Sequence, residues 1–441
     1  MNKLREIAAA EKHVVIVGGG FAGLNCAKRL ASDSRLRITL IDKNNYQQFQ
    51  PLLYQVATGT LSPANAAFNL REVFVRHKNV EIKMSEVVAV DLTTRSVKGK
   101  GGDVYQGDFL VLAAGTVANF FGIPGADRYA FPMYSLEDAE HLRSRILELL
   151  EAADLKTGSA REEELQFLVV GAGPTGVETA GAIADILRRT PKNLYADVDL
   201  NKAAVTLVDM GPRVLRPFMQ KSQEYAAHIL EDRAVRLRLG VSVKEVTASD
   251  VLLSDGSRVP AKLVIWAGGL KASPLSGSLG IKPGRGGRVD VQPDLTVAGY
   301  PGVYALGDFA NTKGEDGKPL PQLASVAQQA GRHCADNIVA EVSGMEKKPF
   351  AYFDKGIMAM VGRNAAVAEI GANHYPMMGV FAFAAWLGIH SVLLTTVRAQ
   401  MDAFFEWAWD YFGNVHVDPI LDRPSVDRAS DKSPSTQTTQ F

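Results

Sequence analysis

A β-branched run, His13-Val-Val-Ile-Val17, leads directly into Gly18-Gly-Gly-Phe-Ala-Gly23, and an apolar-periodic stretch with Leu24, Ala27 and Leu30 follows. The order is strand, glycine turn, helix. The next strand, Leu36-Arg-Ile-Thr-Leu-Ile41, ends on Asp42. Gly18, Gly20 and Gly23 let backbone N–H groups approach a pyrophosphate. The helix N-terminus adds its positive dipole, and Asp42 can accept hydrogen bonds from an adenosine ribose. A tight turn beside a surface acid would need the glycines, but not the strand before them, the helix after them and the acid ending the next strand.

The pattern returns later in the chain. Phe167-Leu-Val-Val170 leads into Gly171-Ala-Gly-Pro-Thr-Gly176 and a helix, and Val205-Thr-Leu-Val208 ends on Asp209. Gly171, Gly173 and Gly176, with Pro174 and Thr175 between them, repeat the first turn, and Asp209 repeats Asp42. Asp209 lies further from its glycines than the roughly 20 residues usual for this unit, because residues 188–202 lengthen the connection. The chain therefore holds an internal duplication of a nucleotide-binding unit. Residues 109–115 and 263–268 also match each other, as apolar strands running into Ala114-Gly115 and Ala267-Gly268. Each is expected to close its own sheet and to bring backbone near a ligand, which glycine permits.

A chain of 441 residues is long for one domain and suits two or three. With 48 Lys plus Arg against 48 Asp plus Glu, nothing in the charge points to nucleic acid. Cys26 and Cys334 form neither a CxxC pair nor a metal spacing. That argues against a disulfide-stapled secreted protein, a dithiol flavoenzyme and a metal site, and Cys26 is expected to pack as a small apolar residue. Residues 1–12 show no targeting segment. Residues 284–287 and 311–318 read as loops, and 430–441 as a disordered tail.

A third signal, Thr296-Val-Ala-Gly-Tyr-Pro-Gly-Val-Tyr-Ala-Leu-Gly-Asp308, resembles the second FAD fingerprint of the glutathione-reductase-like flavoproteins, whose Asp holds the flavin ribityl chain. The resemblance orders the glycine motifs, FAD first and nicotinamide second. Phe49-Gln-Pro-Leu-Leu-Tyr-Gln-Val-Ala-Thr-Gly59, the Gly171–Glu178 run and Tyr352-Phe-Asp-Lys-Gly356 narrow it further. They resemble the type II NADH dehydrogenases, single-subunit NADH:quinone oxidoreductases, from about residue 13 to about residue 412.

The resemblance implies an α/β fold with two Rossmann-like dinucleotide-binding domains, one inserted in the other, and a C-terminal amphipathic membrane-associating helical module. The FAD domain would take residues 1–118 and 290–350, the NADH domain 119–289, the membrane module 351–429 and the tail 430–441. FAD would contact Gly18, Gly20, Phe21, Ala22, Gly23, Asp42, Lys43, Val88, Ala114, Gly115, Gly307, Asp308 and Ala324. NADH would contact Gly171, Gly173, Pro174, Thr175, Gly176, Asp209, Ala267 and Gly268. NADH would give a hydride to the flavin, and two electrons would pass to a membrane quinone. No bundle of spanning helices with buried ionisable groups is present, so proton pumping is not expected.

The family's quinone motif, Ala-Gln-x-Ala-x-Gln, falls on Ala324-Ser-Val-Ala-Gln-Gln329. Ser325 replaces the first Gln and Gln329 keeps the last; both are expected at the quinone. Gln322 would share a face with Gln329 if the helix includes it. Glu178, just inside the second nucleotide helix, is the family's carboxylate near nicotinamide and flavin, a group that could move a proton. A helix N-terminal acid favoured by the dipole is its plainer explanation.

Residues 377–397 carry no formal charge, and a helix of that length would span roughly 30 Å. Two Gly, three hydroxyl residues and His390 make the run only moderately apolar. Beyond it Arg398, Asp402, Glu406 and Asp410 recur every four residues, with Met401, Phe404, Phe405 and Phe412 on another face, as in an amphipathic helix. The stripe is expected to face solvent and the aromatics to face lipid or protein. The resemblance implies peripheral attachment to the cytoplasmic side of the cell membrane and leaves a homodimer open. Three rivals stand beside it: a soluble NAD(P)H-dependent reductase of a protein acceptor such as a ferredoxin, a sulfide:quinone oxidoreductase, and a non-catalytic FAD-binding redox sensor.

Overall fold

A computed structural model of the chain describes residues 11–190, 194–195, 197–394, 396–413 and 421. The expectations for residues 1–10 and for the tail at 430–441 lie outside them. The chain forms two compact units, each drawn from three segments. The first comprises Met1–Gln48, Phe68–Val117 and Leu270–Asp354; the second comprises Phe49–Ala67, Ala118–Gly269 and Lys355–Phe441. Three segments fall differently from the sequence-based division, and one of them, the C-terminal module expected over 351–429, belongs from Lys355 onward to the second unit. The short helix Leu53–Ala57 packs on helices Leu136–Asp154 and Pro174–Arg189 and so belongs to the second unit. Ala272, Leu275, Leu279 and Val289 are core residues of the first unit, beside Val17 and Leu110.

The first unit is built on a five-stranded sheet in the order Val303–Ala305, Phe109–Leu112, Lys12–Val17, Leu36–Asp42, Val80–Met84, parallel throughout. The second repeats it in the order Ala130–Pro132, Leu263–Trp266, Gln166–Val170, Ala204–Asp209, Val235–Leu239, again parallel. The duplication seen in the motifs is thus a duplication of whole sheets. Strands Phe109–Leu112 and Leu263–Trp266 do not close their sheets. Each lies one place inside the edge and is buried along its length, as a parallel strand covered on both faces must be.

In the first unit, helices Phe21–Leu30 and Ala324–Val342 cross closely because Gly331 faces Ala22; a Cβ at Gly331 would sit 2.2 Å from the Ala22 carbonyl oxygen. Cys26 and Cys334 meet at this crossing as buried free thiols. Cys26 packs as an apolar residue, and burial followed by its Cys26 neighbour pushes the Cys334 thiol up. The sequence spacing gave no sign that the two would be adjacent.

In the second unit, an antiparallel sheet of Gly356–Gly362, Ala365–Ile370 and Tyr375–Gly379 leads into helices Val380–Leu393 and Val397–Gly413. The uncharged run 377–397 is therefore not one helix. Its first three residues finish a strand, and Leu394 breaks what remains. Among the described residues no helix is long and apolar enough to cross a membrane.

Candidate active site

In each unit the glycine turn joins the C-terminal end of the central strand to a helix. Gly18 and Gly171 have φ of 103° and 102°, which an L side chain rarely adopts. A Cβ there would strike the Ala113 or the Ala267 carbonyl oxygen. Cβ atoms at Gly23 and Gly176 would strike the Gly18 and Gly171 oxygens, whereas Gly20 and Gly173 look into open space, as a turn that admits a phosphate requires. Phe21 and Ala22 open the first helix and Pro174 and Thr175 the second, with proline at a first-turn position where its missing N–H costs nothing.

The two acids make matching bonds. Asp42 accepts from Gly19 N at 2.6 Å and Asn44 N at 2.7 Å; Asp209 accepts from Ala172 N at 2.7 Å and Gly211 N at 2.6 Å. Each carboxylate staples its turn and keeps further lone pairs for a ribose. Burial raises the Asp42 pKa against the pull of the two amides. The longer connection before Asp209 leaves this geometry unchanged.

Within the first unit, Ala114-Gly115 follow the parallel neighbour of the central strand and Gly307-Asp308 follow the edge strand parallel to that neighbour, so both reach the same sheet end. Burial pushes Asp308 up to about 6, partly offset by the Arg288 guanidinium. No hydrogen bond reaches its carboxyl among the described residues, so the group suits a ligand that brings hydroxyl donors. Lys43 and Val88 are exposed, Val88 on strand Val87–Asp91.

Helix Ala324–Val342 carries the altered motif. Ser325 Oγ lies 2.9 Å from the Tyr352 hydroxyl. Gln329 makes a reciprocal clamp on one residue: its Nε2 donates to Phe353 O at 2.9 Å, and Phe353 N donates to its Oε1 at 3.0 Å. Gln322 precedes the helix, so it does not share a helical face with Gln329.

In the second unit, Glu178 is 8% exposed and points away from the surface role open to a helix N-terminal acid. Its Oε1 accepts from Met360 N at 3.1 Å. Gly181, one turn on, lets helix Pro174–Arg189 approach strand Gly356–Gly362, since a Cβ there would lie 2.0 Å from Val361 O. Burial pushes Glu178 up to about 8, opposed by the Met360 amide and more weakly by the Trp386 indole. That indole N–H has no partner at ordinary hydrogen-bonding distance.

Glu178 lines a cavity of about 590 Å³ with Tyr54, Gln55 and Arg189; Phe404 and Phe412 also line it. The last two are 58% and 82% exposed, so the lining runs from a buried carboxyl to a solvent-facing apolar rim. Helix Val397–Gly413 supplies one wall. It buries Ala399, Ala403 and Trp407, spaced by four. The acidic stripe does not all face solvent: Glu406 accepts from Ser62 N at 3.0 Å, and Asp410 pairs with Arg189 at 3.2 Å. The sequence reading missed Tyr54, Gln55, Arg189 and Trp407 as site residues. The apolar pattern 399, 403, 407 was the available signal for the helix's inner face.

The pyridine nucleotide-disulphide oxidoreductase family model matches residues 12–331. A type II NADH:quinone oxidoreductase of Mycobacterium tuberculosis is 40% identical over 417 residues, 91% of this chain and 87% of that protein. One of Staphylococcus haemolyticus is 30% identical over 376 residues, 82% of this chain and 91% of that protein. The solved structure of NDH2 from Plasmodium falciparum in complex with NADH superposes with a TM-score of 0.85 at 21% identity, covering 92% of this chain and all of that one.

Proposed function

The chain belongs to the pyridine nucleotide-disulphide oxidoreductase family and, within it, to the type II NADH:quinone oxidoreductases, and on that premise we propose that its second-unit cavity is where a quinone is reduced. The enzyme oxidises NADH and reduces quinone with FAD as cofactor and without proton pumping. FAD fits the first unit: Gly18, Gly20, Phe21, Ala22 and Gly23 would cradle the pyrophosphate, Asp42 and Lys43 the adenosine end. Asp308 would hold the ribityl hydroxyls, with Val88, Ala114, Gly115, Gly307 and Ala324 around the remainder. Bound there, FAD supplies the acceptor for the hydride and the donor of two electrons. NADH would lie on Gly171, Gly173, Pro174, Thr175 and Gly176, with Asp209 at its ribose and Ala267-Gly268 beside it.

The observation that carries the quinone reading is the cavity itself. Its inner end holds a carboxyl that keeps its proton near neutral pH, and its rim is made of exposed aromatics. A quinone needs protons on reduction, and its isoprenoid tail needs an apolar entry. Glu178 would hold that proton on its carboxyl. Ser325 and Gln329, expected at the quinone, instead order Tyr352 and Phe353 within the first unit and do not line this cavity. Phe381, Val392, Phe405 and Trp409 extend the exposed apolar surface and suit a peripheral seat on the cytoplasmic side of a membrane. NADH oxidation with a panel of quinones against soluble acceptors tests this; reduction of soluble acceptors alone would overturn it.

Donor choice follows from Asp209. A 2′-phosphate beside that carboxylate meets like-charge repulsion of about 4 kcal/mol at 4 Å near a protein surface. Arg213 and Arg216, exposed on the following turn, soften it. NADH should exceed NADPH in kcat/KM by roughly 10–10²-fold. Equal values for the two donors would remove Asp209 from the ribose position.

A further inference from the structure

Gln55 sits on the buried helix Leu53–Ala57 and is bonded at both ends of its amide. Its Oε1 accepts from Trp407 Nε1 at 2.7 Å, and its Nε2 donates to the Tyr54 hydroxyl at 2.9 Å. An indole N–H can only donate, so the carbonyl end of the amide must face Trp407 and the NH2 end must face Tyr54. The Tyr54 oxygen is thereby an acceptor in that bond, and its own proton is left over. Tyr54 is buried and lines the cavity together with Glu178. Its ring meets Trp386 edge-on, with centroids 6.2 Å apart, which limits how the phenol can turn. Burial, and next the nearby Glu178 carboxyl, push the phenol well above its ordinary value, so it keeps its proton throughout the neutral range.

We propose that Tyr54 donates its O–H to a carbonyl oxygen of the quinone in this cavity, and that Trp407, acting through Gln55, fixes the direction of that donation. The proposal rests on the quinone reading above. As the quinone accepts electrons, negative charge grows on its carbonyl oxygens. A donor already aimed at one of them, from a buried position in a mainly apolar lining, stabilises that charge without first reorganising. Tyr54 is then a catalytic residue that touches substrate. Gln55 and Trp407 are positioning residues that act through it.

The test uses the full-length holoenzyme and follows its two half-reactions by stopped flow. Tyr54→Phe should leave flavin content, reduction by NADH and reoxidation by ferricyanide at the parent level, because none of these needs a donor to a carbonyl. Reoxidation by quinone should slow by about 10²-fold, the usual scale for one lost oxyanion donor. Gln55→Glu offers Tyr54 an acceptor in place of a donor and turns the phenol proton away from the cavity. It should slow the quinone step comparably, and should add nothing further when combined with Tyr54→Phe. Trp407→Phe frees the amide to flip and should give a smaller loss in the same step only. Parent-level quinone reoxidation in Tyr54→Phe would overturn the proposal, as would additive losses from Tyr54→Phe and Gln55→Glu. Failure of the unmodified, NADH-reduced holoenzyme to be reoxidised by any quinone, while ferricyanide succeeds, would instead overturn the quinone reading.

Discussion

Glu178→Gln should lower turnover with quinone by about 10²–10³-fold while FAD and NADH still bind, the range expected when a general acid is lost. The amide keeps an oxygen for the Met360 N–H, so the loss would lie in the proton and not in the packing. A second measurement separates these. The folded protein holds the Glu178 proton up to about pH 8, whereas the unfolded chain releases it near the ordinary 4.5. Between those values the unfolded state binds fewer protons, so this residue's contribution to stability falls as pH rises. At about 1.36 kcal/mol per pH unit, the parent protein should lose roughly 2–3 kcal/mol relative to Glu178→Gln between pH 6 and pH 8. Urea midpoints at the two pH values measure it. Parallel shifts in both proteins would mean that the carboxyl is already ionised at pH 6 and cannot serve as the acid.

Replacing Phe381, Val392, Phe405 and Trp409 together with serine should release the protein from membranes while sparing reduction of a short, water-soluble quinone. These four are strongly exposed and none lines the cavity. Each large apolar side chain moved out of water contributes about 1.5 kcal/mol or more, so four contribute on the order of 6 kcal/mol, a change in partitioning beyond about 10³-fold. Vesicle flotation and assays with short- and long-tailed quinones give the two readouts. Unchanged flotation would move the attachment surface elsewhere. Equal loss with both quinones would show that the substitutions reach the cavity.

The parts of the molecule that were legible in the sequence are those where backbone geometry leaves little choice. Gly18, Gly23, Gly171 and Gly176 stand where a Cβ would strike a carbonyl oxygen, so strand, turn and helix could be read from spacing alone. Glu178 was legible as a candidate through family resemblance, but its burial depends on the approach of strand Gly356–Gly362, whose Met360 lies 182 residues further along the chain. The Gln55–Trp407 bond joins positions 352 residues apart, which no local pattern records. The acidic stripe misled because a four-residue period shows which residues share a face and not what that face meets. Asp410 meets Arg189 and Glu406 meets the Ser62 amide. The uncharged run 377–397 misled for a related reason. Hydropathy registers no break at Gly379, where pairing of Tyr375–Gly379 with Ala365–Ile370 ends and the helix begins.

Helix Val397–Gly413 has an outward apolar arc and an inward line of Ala399, Ala403 and Trp407 on a single rigid rod. Trimming the C-terminus would therefore remove a wall of the cavity along with the exposed apolar surface proposed to meet lipid. A shortened enzyme that fails with long-tailed quinones would say nothing about delivery from the bilayer, because its catalytic chamber would have been opened by the same cut. Point changes on the outer arc, which leave the inward line in place, are the way to test the proposed attachment separately.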